Sequence, residues 1–179
     1  MNNFVNRIIR AARLEPQLYE EVEADKTAMS QAMGVVVLSS IAAGIGNTGR
    51  IGLGGIFMGT MAALMAWYIW AFLTYLVGTK LLPEPQTKAD IGEMLRTIGF
   101  SSSAGLIRIF GFLPVIGPLV FFASSIWMLI AMAIAVRQAL DYKSMGRAVG
   151  VCVIGWLIQV AALMLIFSLF FRFSGGPRL

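Results

Sequence analysis

The chain has 179 residues, 58% of them apolar and 13% charged, with a formal net charge of +5. A soluble domain of ordinary composition carries roughly 45–50% apolar and about 25% charged residues, so a water-soluble globule is excluded. With no histidine and one cysteine, a Cys/His zinc site, a Ser-His-Asp triad, a haem axial histidine and an internal disulfide lack the residues they need.

The apolar excess is gathered into long uncharged blocks, the longest from Ile51 to Thr79. Segments that cross lipid must satisfy their backbone internally, and none here alternates like a barrel strand. The expected fold is an all-α membrane protein, a five-span helical bundle with its N-terminus cytoplasmic and its C-terminus outside.

Residues 1–27 read as a cytoplasmic segment. Phe4, Val5, Ile8, Ile9 and Ala12 share one helical face with Arg7, Arg10 and Arg13 on its flank, the pattern of a short basic helix in the headgroup plane of the inner leaflet. Its arginines either meet anionic lipid or dock a partner. Pro16 ends that helix. Leu18, Tyr19 and Val22, with Glu20, Glu21, Glu23 and Asp25, then form an acidic turn that is either a solvated face paired with the arginines or a recognition surface for a basic partner. On the second reading Tyr19, Glu20, Glu21 and Glu23 are the candidate partner-binding residues. A cleaved signal peptide is rejected, because five acids lie between Glu15 and Asp25 and further spans follow.

The spanning domain runs over 28–171. Its first span is expected from Ala28 to Gly46 and its second from Gly54 to Val77. Between them Gly44-Ile45-Gly46-Asn47-Thr48-Gly49 matches GxGxxG, but outside a βαβ unit it reads as a tight external turn. Gly55/Gly59 and Gly146/Gly150 satisfy GxxxG, which favours helix contact within or between chains. Met58, Met61 and Met65, like Met128 and Met132, follow helical spacing; without cysteine or histidine to share a metal they read as lipid-facing or packing residues. Trp67, Tyr68 and Trp70 read as packing aromatics.

After the second span Leu82-Pro83-Glu84-Pro85 stops the helix, and Thr87-Lys88-Ala89-Asp90 reads as a capping box that starts the next one. The third span, Met94 to Leu113, is interrupted by Arg96 and Arg108 and is the least hydrophobic. Glu93 and Arg96 lie three apart, the spacing of an ion pair. Arg108, near the outer end, either snorkels outward or makes a buried functional contact. These two arginines are the candidate intramembrane functional residues. Gly111 to Pro118 forms a turn short enough to make spans three and four antiparallel neighbours. Val115–Val136 and Ala148–Phe171 complete the set, Cys152 reads as a small buried residue, and 172–179 form a short tail.

Orientation follows from the basic residues, ten of the fourteen falling on the N-terminal side of the membrane. Arg50, Arg108, Arg172 and Arg178 fall on the other. All nine acids lie in the same cytoplasmic segments as the ten.

This arrangement resembles the YIP1 family of small five-span membrane proteins, in its compact bacterial members. The likeness runs from about Leu14 to Phe171. It rests on Leu76-Val77-Gly78-Thr79-Lys80-Leu81-Leu82 leading into the capped stretch Ile91 to Ser101, on the Leu113-Pro114-Val115-Ile116-Gly117 turn, on Trp127, and on Val136-Arg137-Gln138-Ala139-Leu140 followed by Ser144 and Arg147. The resemblance implies a membrane protein without catalytic activity; eukaryotic relatives engage small prenylated GTPases and coat components. Together with the helical spans and compactness it implies a bacterial inner membrane.

No carboxylate lies inside a span and no Ser/Lys pair shares a depth, so an intramembrane enzyme has no base. No cofactor or metal is expected. The expected function is an integral membrane adaptor or membrane-organising protein that contacts an unknown membrane or cytoplasmic protein through its charged face. The alternative is a small oligomeric transporter or channel for an anion or lipid headgroup, with Arg96 or Arg108 lining the path. The expected partners are the lipid bilayer, that protein, and in the second case further copies of the chain; no nucleic acid is expected.

Overall fold

The computed structural model describes residues 3–47 and 52–173, the last five by backbone alone. Thr48, Gly49 and Arg50 of the expected glycine turn lie outside the described residues, as do the side chain of Arg172 and the tail from residue 174. Among the described residues there is no strand. The helices are α1 (Asn3–Ala12), α2 (Pro16–Ala24), α3 (Ala28–Gly46), α4 (Gly52–Leu76), α5 (Ile91–Ser101), α6 (Gly117–Ala139) and α7 (Met145–Phe173), with a π-helical turn at Val77–Leu81 and a 3-10 helix at Ser102–Phe112.

Four stretches are long and apolar enough to cross a membrane: Ala28–Gly46, Gly52–Leu81, Gly117–Ala139 and Met145–Ser168. The protein is therefore membrane-embedded. The segment expected as the third span is not among the four and has a composite form, α5 running into the 3-10 helix. At about 1.5 Å per α-helical residue and about 2.0 Å per 3-10 residue, it is roughly 38 Å long. It runs beside α3 over that helix's length: Gly99 faces Ala32, Gly105 faces Ser39, and the Arg108 carbonyl faces Gly46.

The remaining segments alternate in direction. α6 returns against the composite segment, bringing Ser124 to Arg108, Met128 to Gly105 and Met132 to Ser101. α4 runs against α3, with Ile56 facing Gly44 and Ser40 bonded to Thr60. α7 runs against α4, placing Gly150 near Leu82 and Gly155 near Trp70 and Thr74. One end of the bundle collects Gly46, Gly111 and Gly117, and the other collects the charged loops. We refer to these as the glycine end and the charged end.

Why the central segment is the least apolar follows from its surroundings. Every residue from Met94 to Ser101 is buried, enclosed by α2, α3, α4 and α6. Protein rather than lipid surrounds this α5 half, so it needs no hydrocarbon-facing surface, whereas the 3-10 half that follows exposes Ile107, Ile109, Phe110 and Phe112. Most of the exposed apolar surface belongs to α4, α6 and α7, as at Leu53, Phe57, Leu119, Phe122 and Leu163. Met58, Met61, Met65 and Tyr68 also point outward, whereas Trp67 is buried.

The closest approaches are made by glycines other than Gly59, Gly146 and Gly150 of the GxxxG pairs. A Cβ on Gly59 would meet nothing, but one on Gly46 would lie 2.1 Å from the Arg108 carbonyl oxygen and one on Gly99 2.8 Å from the Ala32 Cβ. The capping box is also displaced from its expected place. Asp90 is the N-cap, accepting the Glu93 N–H at 2.8 Å, while the Glu93 carboxylate accepts the Asp90 N–H at 2.7 Å. Thr87 is used instead by the preceding turn, its hydroxyl accepting the Glu84 N–H at 3.0 Å.

Candidate functional site

Two places collect polar groups, one at the charged end and one inside the bundle. The first is built by α1 and α2. Arg7 is only 4% exposed, and its guanidinium is fully engaged: Nε on Glu21 at 2.9 Å, Nη2 on Asp25 at 2.8 Å and Nη1 on the Gln31 amide oxygen at 3.0 Å. Arg10 bonds Glu15 at 3.0 Å and the second oxygen of Glu21 at 2.6 Å. Glu21 thus joins both arginines. Arg10, then its own burial and Arg7, decide its proton affinity, with the net result held below the ordinary carboxylate value.

This network shows that the arginines of α1 are paired within the protein rather than left on a free flank. The helix docks on α2, α5 and the 3-10 helix, with Arg7 and Ala11 buried and Val5 and Ile9 exposed. The reason is that Arg7 finds three acceptors on α2 and α3, and a buried guanidinium is stable only when its donors are met. The Trp127 indole N–H reinforces the docking by donating to the Ala12 carbonyl at 2.8 Å.

The four candidate partner residues separate. Tyr19 is fully buried and donates to the Ala11 carbonyl at 3.3 Å, so it is a packing residue. Glu21 is occupied by arginines. Glu20 is exposed and accepts the Gln138 amide at 2.6 Å, and Glu23 is half-buried. These two line an open polar cleft of about 410 Å³ with Arg137, Gln138, Asp141 and Lys143.

Glu23 is pushed up from the ordinary 4.5 to about 7 by burial first, then by Asp141, Glu93 and Glu20, against the smaller opposing pull of Arg96. A carboxyl raised on folding contributes stability that is fully present below its unfolded value near 4.5 and is lost as pH rises through about 7. We expect the distance between spin labels at Gln17 and Lys143 to broaden between about pH 6 and 8, and Glu23→Gln to abolish that broadening. An unchanged distribution across the window would show that Glu23 does not govern the seating of α2.

Arg96 does not pair with Glu93; its guanidinium meets the end of α2. It is 5% exposed. Its Nε donates to the Val22 carbonyl at 2.9 Å and the Glu23 carbonyl at 3.1 Å, and Nη2 donates to Glu23 as well. A cation on the last carbonyls of a helix both satisfies them and complements the helix dipole, so Arg96 fastens the end of α2 to α5. The loops at this end are tied similarly. Tyr142, a residue that the sequence reading passed over, donates to the carbonyls of Gly78 at 2.9 Å and Leu82 at 2.7 Å, bracketing the π-helical turn. Glu84 pairs with Arg147 at 3.3 Å.

The second place is an open cavity of about 330 Å³ between the segments, lined by Ser39, Ser40, Ser102, Arg108, Gln159 and the indoles of Trp67 and Trp70 among apolar neighbours. Arg108 is half-buried. Its carbonyl faces Gly46 at the glycine end, while its Nε reaches the Ser124 hydroxyl at 2.9 Å and its Nη2 the Ser125 hydroxyl at 3.2 Å. The 3-10 form is what aims it. Residues three apart eclipse in a 3-10 helix, so Ser102, Gly105 and Arg108 form one row. Gly105 in that row faces Ser39 and Met128. Gln159 was also overlooked, although the sole side-chain amide of α7 is itself a signal in an apolar run.

A more apolar space of about 610 Å³ lies between α4, α6 and α7, where Cys152 sits with Trp70 and Trp156. Among the described residues no cluster of three or more histidine, cysteine or acidic side chains is placed to hold a metal ion. The chain matches no family model, no curated protein and no solved structure.

Proposed function

We propose that the protein is a non-enzymatic multi-pass membrane protein of the YIP1 type, an adaptor that presents its charged end to a protein partner. In this reading the composite segment is a fifth crossing, the charged end and N-terminus are cytoplasmic, the C-terminus is outside, and the membrane is a bacterial inner membrane. The alternation of five segments between two ends supports the count. The concentration of all nine acids at the end that also holds the basic loops supports the orientation.

The observation that carries the adaptor reading is the polar cleft between α2 and the α6–α7 connection. Glu20 and Asp141 are exposed at its edge, and Arg137 and Lys143 give it the opposite sign nearby. Mixed charge at an open rim steers and orients a partner more than it adds affinity. Photo-crosslinking from Lys143 in native membranes is expected to yield one recurrent protein adduct, lost in Glu20→Lys/Asp141→Lys while membrane insertion is retained. Adducts that persist in the double variant, or none in the parent, would count against the reading.

The second reading, a small oligomeric transporter or channel for an anion or lipid headgroup, draws on the open cavity beside Arg108. Arg108 remains in it. Arg96 is not among its lining residues, and its Nε and Nη2 are bonded to the end of α2.

A further inference from the structure

Arg108 is a cation in a bundle whose interior carries no compensating charge. No acid occurs from residue 26 to residue 83, from 94 to 140, or after 141, and the hydrogen-bond partners of its guanidinium are the neutral hydroxyls of Ser124 and Ser125. An intramembrane guanidinium is costly unless an anion or water-filled space meets it. Here it borders a cavity whose polar lining includes Ser39, Ser102 and Gln159, groups able to donate hydrogen bonds to an oxyanion. Ser124, its nearest partner, is fully buried, whereas Ser125 is exposed on the lipid-facing side of α6. The guanidinium therefore sits at the border between the cavity and the surrounding lipid.

We propose that this cavity binds a phosphate-class oxyanion, with Arg108 as its charge partner and Ser102, Ser39 and Gln159 as surrounding donors. The planar fork of arginine matches phosphate oxygens, and a row of eclipsed 3-10 side chains presents that fork and a hydroxyl together. Gly105 keeps the row open: a Cβ there would lie 2.1 Å from the Ser39 Oγ and 2.9 Å from the Met128 Sδ. The phosphate can be a lipid phosphodiester entering beside Ser125 or free phosphate. The site stands whether or not the cytoplasmic cleft takes a protein.

The test is native mass spectrometry of the full chain, released from a phosphate-free detergent and titrated in separate arms with phosphatidylglycerol, with diacylglycerol of the same tails, and with inorganic phosphate. A saturable phosphatidylglycerol adduct is expected, with diacylglycerol not binding and Arg108→Gln weakening the adduct about tenfold or more. Displacement of the lipid by inorganic phosphate, or saturable phosphate binding alone, would assign the site to free phosphate; resistance to it would assign a lipid headgroup. Equal binding of diacylglycerol, or undiminished binding in folded Arg108→Gln, overturns the proposal. Should Arg108→Gln not fold, Ser102→Ala and Gln159→Leu decide: weaker binding supports the site, and unchanged binding in both overturns it.

Discussion

Arg96→Met is expected to release the end of α2 and to lower the stability of the protein by about 3 kcal/mol. Methionine keeps much of the apolar stem but brings no donor to the Val22 and Glu23 carbonyls, which now meet the guanidinium at 2.9 and 3.1 Å. A hydrogen bond to a charged group is worth roughly 1.5–3 kcal/mol, and a buried acceptor left without a donor adds a desolvation cost of its own. The helix dipole loses its countercharge at the same time. Hydrogen exchange separates this from a general loss of packing. The amides of α2 should lose protection before those of α3 and α6, and Arg96→Lys should fall between the two because it keeps the charge without the fork. Protection that falls uniformly would show that Arg96 supports the core at large rather than α2.

Gly46→Ala has an effect of similar size and a different origin. The new Cβ would lie 2.1 Å from the Arg108 carbonyl oxygen and 3.2 Å from Phe121 Cζ. A backbone carbonyl cannot swing aside as a side chain does, so α3 and the 3-10 helix must separate where they touch. Overpacking of this kind costs about 1–3 kcal/mol, and the rigid obstacle places this case at about 3. Gly59→Ala is the matched control. Nothing lies within 4 Å of its Cβ, and alanine is the better helix former by about 1 kcal/mol. Equilibrium unfolding in mixed micelles should therefore show Gly46→Ala strongly destabilised and Gly59→Ala unchanged or improved. Equal effects would mean that the approach of α3 to the central segment is not limited by this glycine.

These two substitutions lie where reading the chain and seeing it folded diverge. Gly55/Gly59 carries a recognised spacing, yet a Cβ on Gly59 meets open space, while the glycines in close contact, Gly46, Gly99 and Gly105, belong to no such motif. A spacing states which glycines share a helix face; it does not state which face meets another helix. Arg96 is a parallel case. Its sequence neighbour Glu93 was the evident partner, but the carbonyls it holds are 73 and 74 residues away. The acidic turn shows the same limit. Glu20, Glu21 and Glu23 look equivalent in sequence, and only the position of α1 commits Glu21 to Arg7 and Arg10.

What the sequence determined alone was the membrane setting, the four apolar helices, the position of a fifth and weaker segment, and Arg108 as a charge in that segment to explain. Each follows from transfer energetics that accumulate residue by residue along a continuous stretch. Tertiary structure decided the rest. It placed the first half of the least apolar segment at the centre, changed its second half to a 3-10 helix, drew α1 and α2 onto the bundle and brought Arg108 to Ser124 and Ser125. None of these is a property of a local stretch. Each depends on which groups from distant parts of the chain meet the buried donors, acceptors and charges, and in a medium without water that requirement outweighs local preference.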